Sequence, residues 1–263
     1  MLTLVKILVC IGCWESLYQV AQSLLPLLAS KVIRASAGDH RAKLTRCGAS
    51  YIVALCHACL MGTRGCWHLW TLLPAPEAYK LAIPKDPTVQ PWYDLTSATE
   101  TTNVLFFSWL AQDIIHVALQ YPRLGGLDTI FHHVGFMTAS VISGYYQILP
   151  FAFAWLLCGE LSSIPLNIRW FLINTGHGDG RWLYATNVIF AATFFLTRIV
   201  GYGLGICHFF SVRHALLQID AFPPLLAVVL VLLAAGYILN LMWMQKIVQM
   251  AIGKKGRLPS SPQ

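Results

Sequence analysis

The feature that most limits what this chain can fold into is a succession of apolar runs of roughly 18 or more residues. They lie at about 1–28, 49–73, 103–121, 131–149, 150–172, 184–210 and 223–247 of a 263-residue sequence. A run of that length spans the hydrocarbon core of a bilayer as a helix. Composition agrees. Charged residues are 11% and mean hydropathy is +0.61, whereas soluble domains carry about 25% charged residues. Strand-type alternation is absent, which argues against a membrane β-barrel. The expected fold class is an all-α polytopic membrane protein with about seven transmembrane helices.

The connections set an orientation. Residues 30–48 form a polar loop holding Lys31, Arg34, Arg41, Lys43 and Arg46. Residues 74–102 form a longer, proline-rich connection. With the first loop in the cytoplasm, one side carries ten basic residues and the other only Lys80, Lys85 and Arg213. Basic residues gather in cytoplasmic loops, so the expectation is a lumenal N-terminus and a cytoplasmic C-terminus. The net charge of +7 then reports topology rather than nucleic-acid binding. The expected domains are an N-terminal transmembrane helix (1–30), a main membrane domain (45–250) and a disordered cytoplasmic tail (251–263).

Six of the eight cysteines (Cys10, Cys13, Cys56, Cys59, Cys158 and Cys207) fall inside apolar runs and read as small buried filler. The CxxC spacings Cys10–Cys13 and Cys56–Cys59 have no loop partner to complete a zinc site, so no metal site is expected.

Ionisable residues at membrane depth are costly and mark functional sites. The adjacent His132 and His133 stand where the fourth run begins, and histidine titrates nearest neutral pH. Neighbours on a helix point about 100° apart, so one is expected to face a cavity and the other to bond a neighbouring helix. Polar residues at helical spacing form seams: Ser108, Gln112, His116 and Gln120, with Asp113 beside them; His133, Ser140, Ser143 and Gln147; Glu160, Ser163 and Asn167; Asn187, Arg198 and Tyr202; and Asn240. Lipid cannot satisfy such groups, so the seams predict a bundle around a polar interior. Arg198 is read either as a structural ion pair with Glu160 or Asp113 or as a substrate-binding cation.

These residues resemble the TLC-domain family of TRAM, Lag-type ceramide synthases and CLN-type proteins. The likeness runs over about 50–250. It is carried by Ser50 to His57, Asp113, His132-His133, Glu160-Leu-Ser-Ser, Pro165-Leu-Asn-Ile-Arg-Trp170, Arg198 and Asn240-Leu-Met-Trp243, and it is nearest the poorly characterised TLC subgroup. The resemblance implies a six-helix barrel preceded by an extra N-terminal span, in the endoplasmic reticulum or another endomembrane, with membrane lipids as partners and lipid homeostasis as the role. In ceramide synthases the His pair is implicated in acyl transfer from acyl-CoA to a sphingoid amine. At the offset of their second motif, His-Asp then Ser/Ala-Asp, this chain has Gly159-Glu160-Leu-Ser-Ser163.

Two functions follow as expectations. One is a protein that binds or regulates lipids in a polar intramembrane cavity, with no cofactor. The other is a lipid acyltransferase with acyl-CoA as co-substrate. In it His132, His133, Asp113 and Glu160 are catalytic, and Arg198, His116, Asn167 and Tyr202 bind substrate. A seven-helix transporter or receptor fits less well, because inverted repeats are not evident. Self-association is left open.

Overall fold

The structure is a computed structural model that describes residues 2–32, 38–83, 88, 92–178, 180–220 and 222–255. Most of the tail expected to be disordered, 256–263, and part of the proline-rich connection lie outside the described residues.

In a bilayer every backbone donor and acceptor must be met within the chain, and a helix does this within one segment. The helices follow the apolar runs but reach past them, because their end turns carry polar residues into the head-group layer. Helix α1 spans Leu2–Val32 and α2 spans Gly38–Leu72, so the basic loop between them is shorter than its composition suggests. The short α3, Glu77–Leu81, lies in the connection, and α4 runs from Trp92 to Leu119. Helix α5, Leu127–Gly144, holds the His pair.

The next two spans are each interrupted. Helix α6 (Pro150–Cys158) passes through a 3-10 turn, Gly159–Ser162, into α7 (Ser163–Asn174). Pro150 suits the first helical turn, where its missing N–H costs nothing. Helix α8 (Arg181–Phe194) passes through a π turn, Phe195–Gly201, into α9 (Tyr202–Ser211). After the short α10 (Arg213–Leu216), α11 covers Leu226–Lys255.

Six helical segments are long and apolar enough to cross a membrane: Thr3–Leu27, Ala42–Leu72, Ala98–Leu119, Pro150–Asn174, Arg181–Ser211 and Pro223–Ile252. The seventh expected span, α5, is an 18-residue helix whose apolar character is diluted by Asp128, His132 and His133. It nevertheless packs along α4 and touches α6 and α11.

The contacts close a ring of six: α2, α4, α5, α11, α8–α9 and α6–α7, returning to α2. Helix α1 stands outside the ring against α2 and α4. Two apolar cores fill the bundle. One holds Trp14, Tyr18, Met61, Phe106 and Leu157 between α1, α2, α4 and α6. The other holds Ile142, Trp155, Tyr202, Phe209 and Leu233 between α5, α6, α9 and α11. Small residues bring backbones close: a Cβ on Gly65 of α2 would meet Leu157 and Cys158 at 2.7–2.8 Å. The join of α5 to α11 is one of the thinnest parts of the wall.

The cysteines divide. Cys47 and Cys158 are buried, but Cys13, Cys56, Cys59 and Cys207 lie on the outer surface. The filler expectation is corrected for those four, whose small, weakly polar side chains are as much at home against lipid as in a core.

Candidate functional site

His133 lies one α-helical turn beyond Thr129 and is nearly enclosed. Its Nδ1 is 2.9 Å from the Thr129 carbonyl and its Nε2 is 2.8 Å from Asp113 Oδ2 on α4. The carbonyl can only accept, so Nδ1 carries a proton. The second contact also needs a proton between imidazole and carboxylate. Asp113 and His133 therefore share one exchangeable proton in a pair closed off by α4 and α5.

His132, about 100° round the helix, points the other way. Its ring lies 4.6 Å from Phe136 and 5.3 Å from Trp243 on α11, and it makes no hydrogen bond among the described residues. It borders a cavity of about 790 Å3 that follows α5 from Asp128 to Ser143 and is closed by α6, α9 and α11. That volume falls within the roughly 300–1,000 Å3 of small-molecule sites. The lining is mainly apolar, including Phe153, Leu156, Leu233 and Leu239. Among its few polar groups, Ser143 Oγ and Asn240 Oδ1 are buried without a partner.

The expectation of a polar interior is thus corrected. Several seam residues pair across helices instead of facing a common space, whereas Ser143 and Asn240 face the large cavity unpaired. Trp14 Nε1 donates to Ser108 Oγ at 3.2 Å. Gln112 Nε2 donates to Glu15 Oε2 at 3.0 Å, and His116 Nε2 lies 2.8 Å from the same oxygen. That seam binds α4 to α1, outside the ring, so His116 is away from the cavity. Ser140 Oγ donates to Asn103 Oδ1 at 3.0 Å and holds α5 to α4.

Arg198 and Glu160 form the second buried pair. Both sit on the irregular turns, and both are over 90% buried. Arg198 Nη2 donates to Glu160 Oε1 and to Ser163 Oγ, each at 3.2 Å, while Nε donates to Ser162 Oγ at 2.8 Å and to the Gly159 carbonyl at 3.2 Å. The 3-10 turn brings acceptors together, and the π turn offers the guanidinium to them. Of the two counter-ions considered, Glu160 is the one that pairs. His132 is within electrostatic range of Arg198, and His133 within that of Glu160.

Tyr202 lines the large cavity and donates to the Leu233 carbonyl at 3.3 Å. Asn167 and Asp113 border a separate small cavity. Glu15, the partner of Gln112 and His116, is absent from the sequence-predicted set, although a carboxylate inside the first apolar run was a signal for it. Sequence reasoning also missed Trp243 as a neighbour of His132. Among the described residues no three His, Cys, Asp or Glu side chains group as metal ligands would.

A ring of membrane helices with paired intramembrane histidines defines a class of polytopic membrane protein rather than a soluble enzyme. The TLC-domain family model matches residues 48–249, most of the chain, and the chain belongs to that family. No curated protein matches it.

Proposed function

We propose that the chain binds membrane lipid and takes part in lipid homeostasis, with an acyl chain in the cleft between α5 and α11 and the lipid's polar linkage at His132. The carrying observation is the mainly apolar cavity of about 790 Å3 bordered, one turn in from Asp128, by an unbonded imidazole. Buried polar atoms without partners call for an explanation. Ser143 Oγ and Asn240 Oδ1 are such atoms, each placed to meet an ester or amide. The family and the transmembrane helices support a lipid setting. The charge asymmetry of the loops supports a lumenal N-terminus and a cytoplasmic C-terminus, and the family supports an endomembrane such as the endoplasmic reticulum. The domain division follows: 1–30 as a separate helix, 45–250 as the TLC domain.

A second reading, acyl transfer, is favoured by one observation: His132 keeps both ring nitrogens available beside the cavity. In that reaction His132 takes the proton of an amine or hydroxyl acceptor as it attacks an acyl thioester. The new amide or ester bond forms, the carbon–sulfur bond breaks, and the proton passes to the departing thiolate. His133 does not compete for this role, because both its nitrogens are engaged.

Mass spectrometry of lipids co-purified with the wild-type protein, His132→Ala and His133→Ala separates these readings. An unmodified lipid that is lost in His132→Ala supports binding. An N- or O-acylated product formed from an added acyl thioester by the wild type but not by His132→Ala moves the conclusion to acyl transfer. Absence of lipid from all three would overturn both.

A further inference from the structure

On the far side of Asp113 from the lipid cavity lies a second, smaller cavity of about 110 Å3. The two share no lining residue. The small one is bordered by Ser50 and Tyr51 of α2, Asp113 of α4, Thr129 of α5, Asn167 of α7 and Leu124 of the α4–α5 turn. It is therefore built from four walls of the bundle at the membrane face where that turn lies. His40 Nδ1, at the start of α2, lies 3.4 Å from Asn174 Oδ1 at the end of α7, which places those helix ends on the same face.

The polar lining is largely unspent. Ser50 is over 90% buried, and its hydroxyl has no hydrogen-bond partner. Asp113 engages His133 through Oδ2 alone, and Tyr51 uses its ring to stack on Trp170 at 3.9 Å rather than its hydroxyl to bond. Asn167 donates to the Ser163 carbonyl and keeps its own carbonyl. Buried polar atoms without protein partners are ordinarily met by ordered water. The space is well above the roughly 10–15 Å3 that one water needs. An apolar ligand would leave these groups unmet, and a lipid chain already has a cavity suited to it.

We propose that this cavity is a hydrated port through which the Asp113–His133 pair exchanges its shared proton with water at the α4–α5 face. On exit, the proton held between Asp113 and His133 passes to a port water. A carboxylate and a neutral imidazole remain, with Nδ1–H still on Thr129. Entry is the reverse. The ionisable groups facing the pair are Tyr51 and His57 from α2, His132 from α5 and Glu160 with its partner Arg198. This inference does not rest on the lipid reading, since the lipid cavity and the port are separate.

The molecule contains its own dry reference. His57 is fully buried, stacks on Trp109 at 3.6 Å and on Phe106 at 5.5 Å, and borders neither cavity. The full chain, with 15N-labelled histidine in a phosphatidylcholine bilayer, is followed by solid-state NMR that times polarisation transfer from water protons to each imidazole. His133 is assigned by the signal lost in His133→Gln. We expect His133 to receive water polarisation several-fold faster than His57. Ser50→Leu or Asn167→Leu, which fill the port from opposite walls, should slow it to the His57 rate. If one leucine variant does not fold, the other carries that arm, and the wild-type comparison needs neither. The proposal is overturned by a wild-type His133 as slow as His57, by transfer from lipid protons instead of water, or by a fast His133 that the leucine substitutions leave unchanged.

Discussion

His133 Nε2 stands 2.8 Å from Asp113 Oδ2, a contact that joins α4 to α5 below the turn between them. Asp113 also faces the small cavity, but His133 borders neither cavity, so its Nε2 finds no replacement partner without a helix moving.

Removing the acceptor should show in stability. Asp113→Ala leaves a buried donor unmet, which costs about 1–3 kcal/mol and lowers the thermal midpoint in detergent by several degrees. His132→Ala loses ring contacts but no hydrogen bond, and its shift should be less than half as large. Equal shifts would mean that the pair does not anchor α5.

The Arg198–Glu160 pair gives a sharper contrast. Arg198→Met strands a carboxylate that is over 90% buried, and breaking such a pair costs about 3–5 kcal/mol. The double variant Arg198→Met with Glu160→Gln removes both charges and should recover most of that loss. A double-mutant cycle on thermal or denaturant unfolding checks it: a coupling near zero would show that the other three acceptors hold the guanidinium independently of Glu160.

Close helix contacts make a third case. A Cβ on Gly205 of α9 would collide with the Trp155 indole. Gly205→Ala should therefore cost about 1–3 kcal/mol by overpacking. Gly12 of α1 has nothing within 4 Å of that position, so Gly12→Ala should gain up to about 1 kcal/mol from helix propensity. Thermal melts of both variants test the sign as well as the size.

The cavity itself can be filled. Ala139 lines it from α5, away from Asp113. Ala139→Trp should reduce co-purified lipid at least tenfold, while thermal unfolding keeps the Asp113-dependent shift. Retained lipid in a folded Ala139→Trp protein would place the ligand elsewhere.

The spans were readable because apolar length is a property of single segments. So was the division of labour between His132 and His133, since a 100° rotation follows from adjacency alone. The fate of the polar seams was not readable. Ser108, Gln112 and His116 share a face, but whether that face meets a cavity or another helix depends on Glu15, some 97 residues from Gln112. The π turn was also hidden, since no residue in Phe195–Gly201 marks it; the 3-10 turn had a signal in Gly159 and in Pro165, which cannot donate back to the Leu161 carbonyl. Ser50 and Asp113 were both part of the family likeness, yet their common cavity requires the packing of α2, α4, α5 and α7.

Helix α5 has 18 residues against 28 for α4. At 1.5 Å per residue it rises about 27 Å, slightly less than the roughly 30 Å thickness of a typical hydrocarbon core. A span shorter than its bilayer is matched by local thinning or by drawing in polar residues. His132 is the sixth residue of α5, about 8 Å from its start, roughly halfway down one leaflet, so a lipid's linkage reaches its level only where the bilayer thins. If the cleft takes lipid as proposed, hydrophobic mismatch sets the level at which the lipid meets it: its linkage region comes abreast of the imidazole while its tail runs on toward the opposite leaflet. Bilayer thickness then becomes a variable that tunes occupancy without touching a side chain.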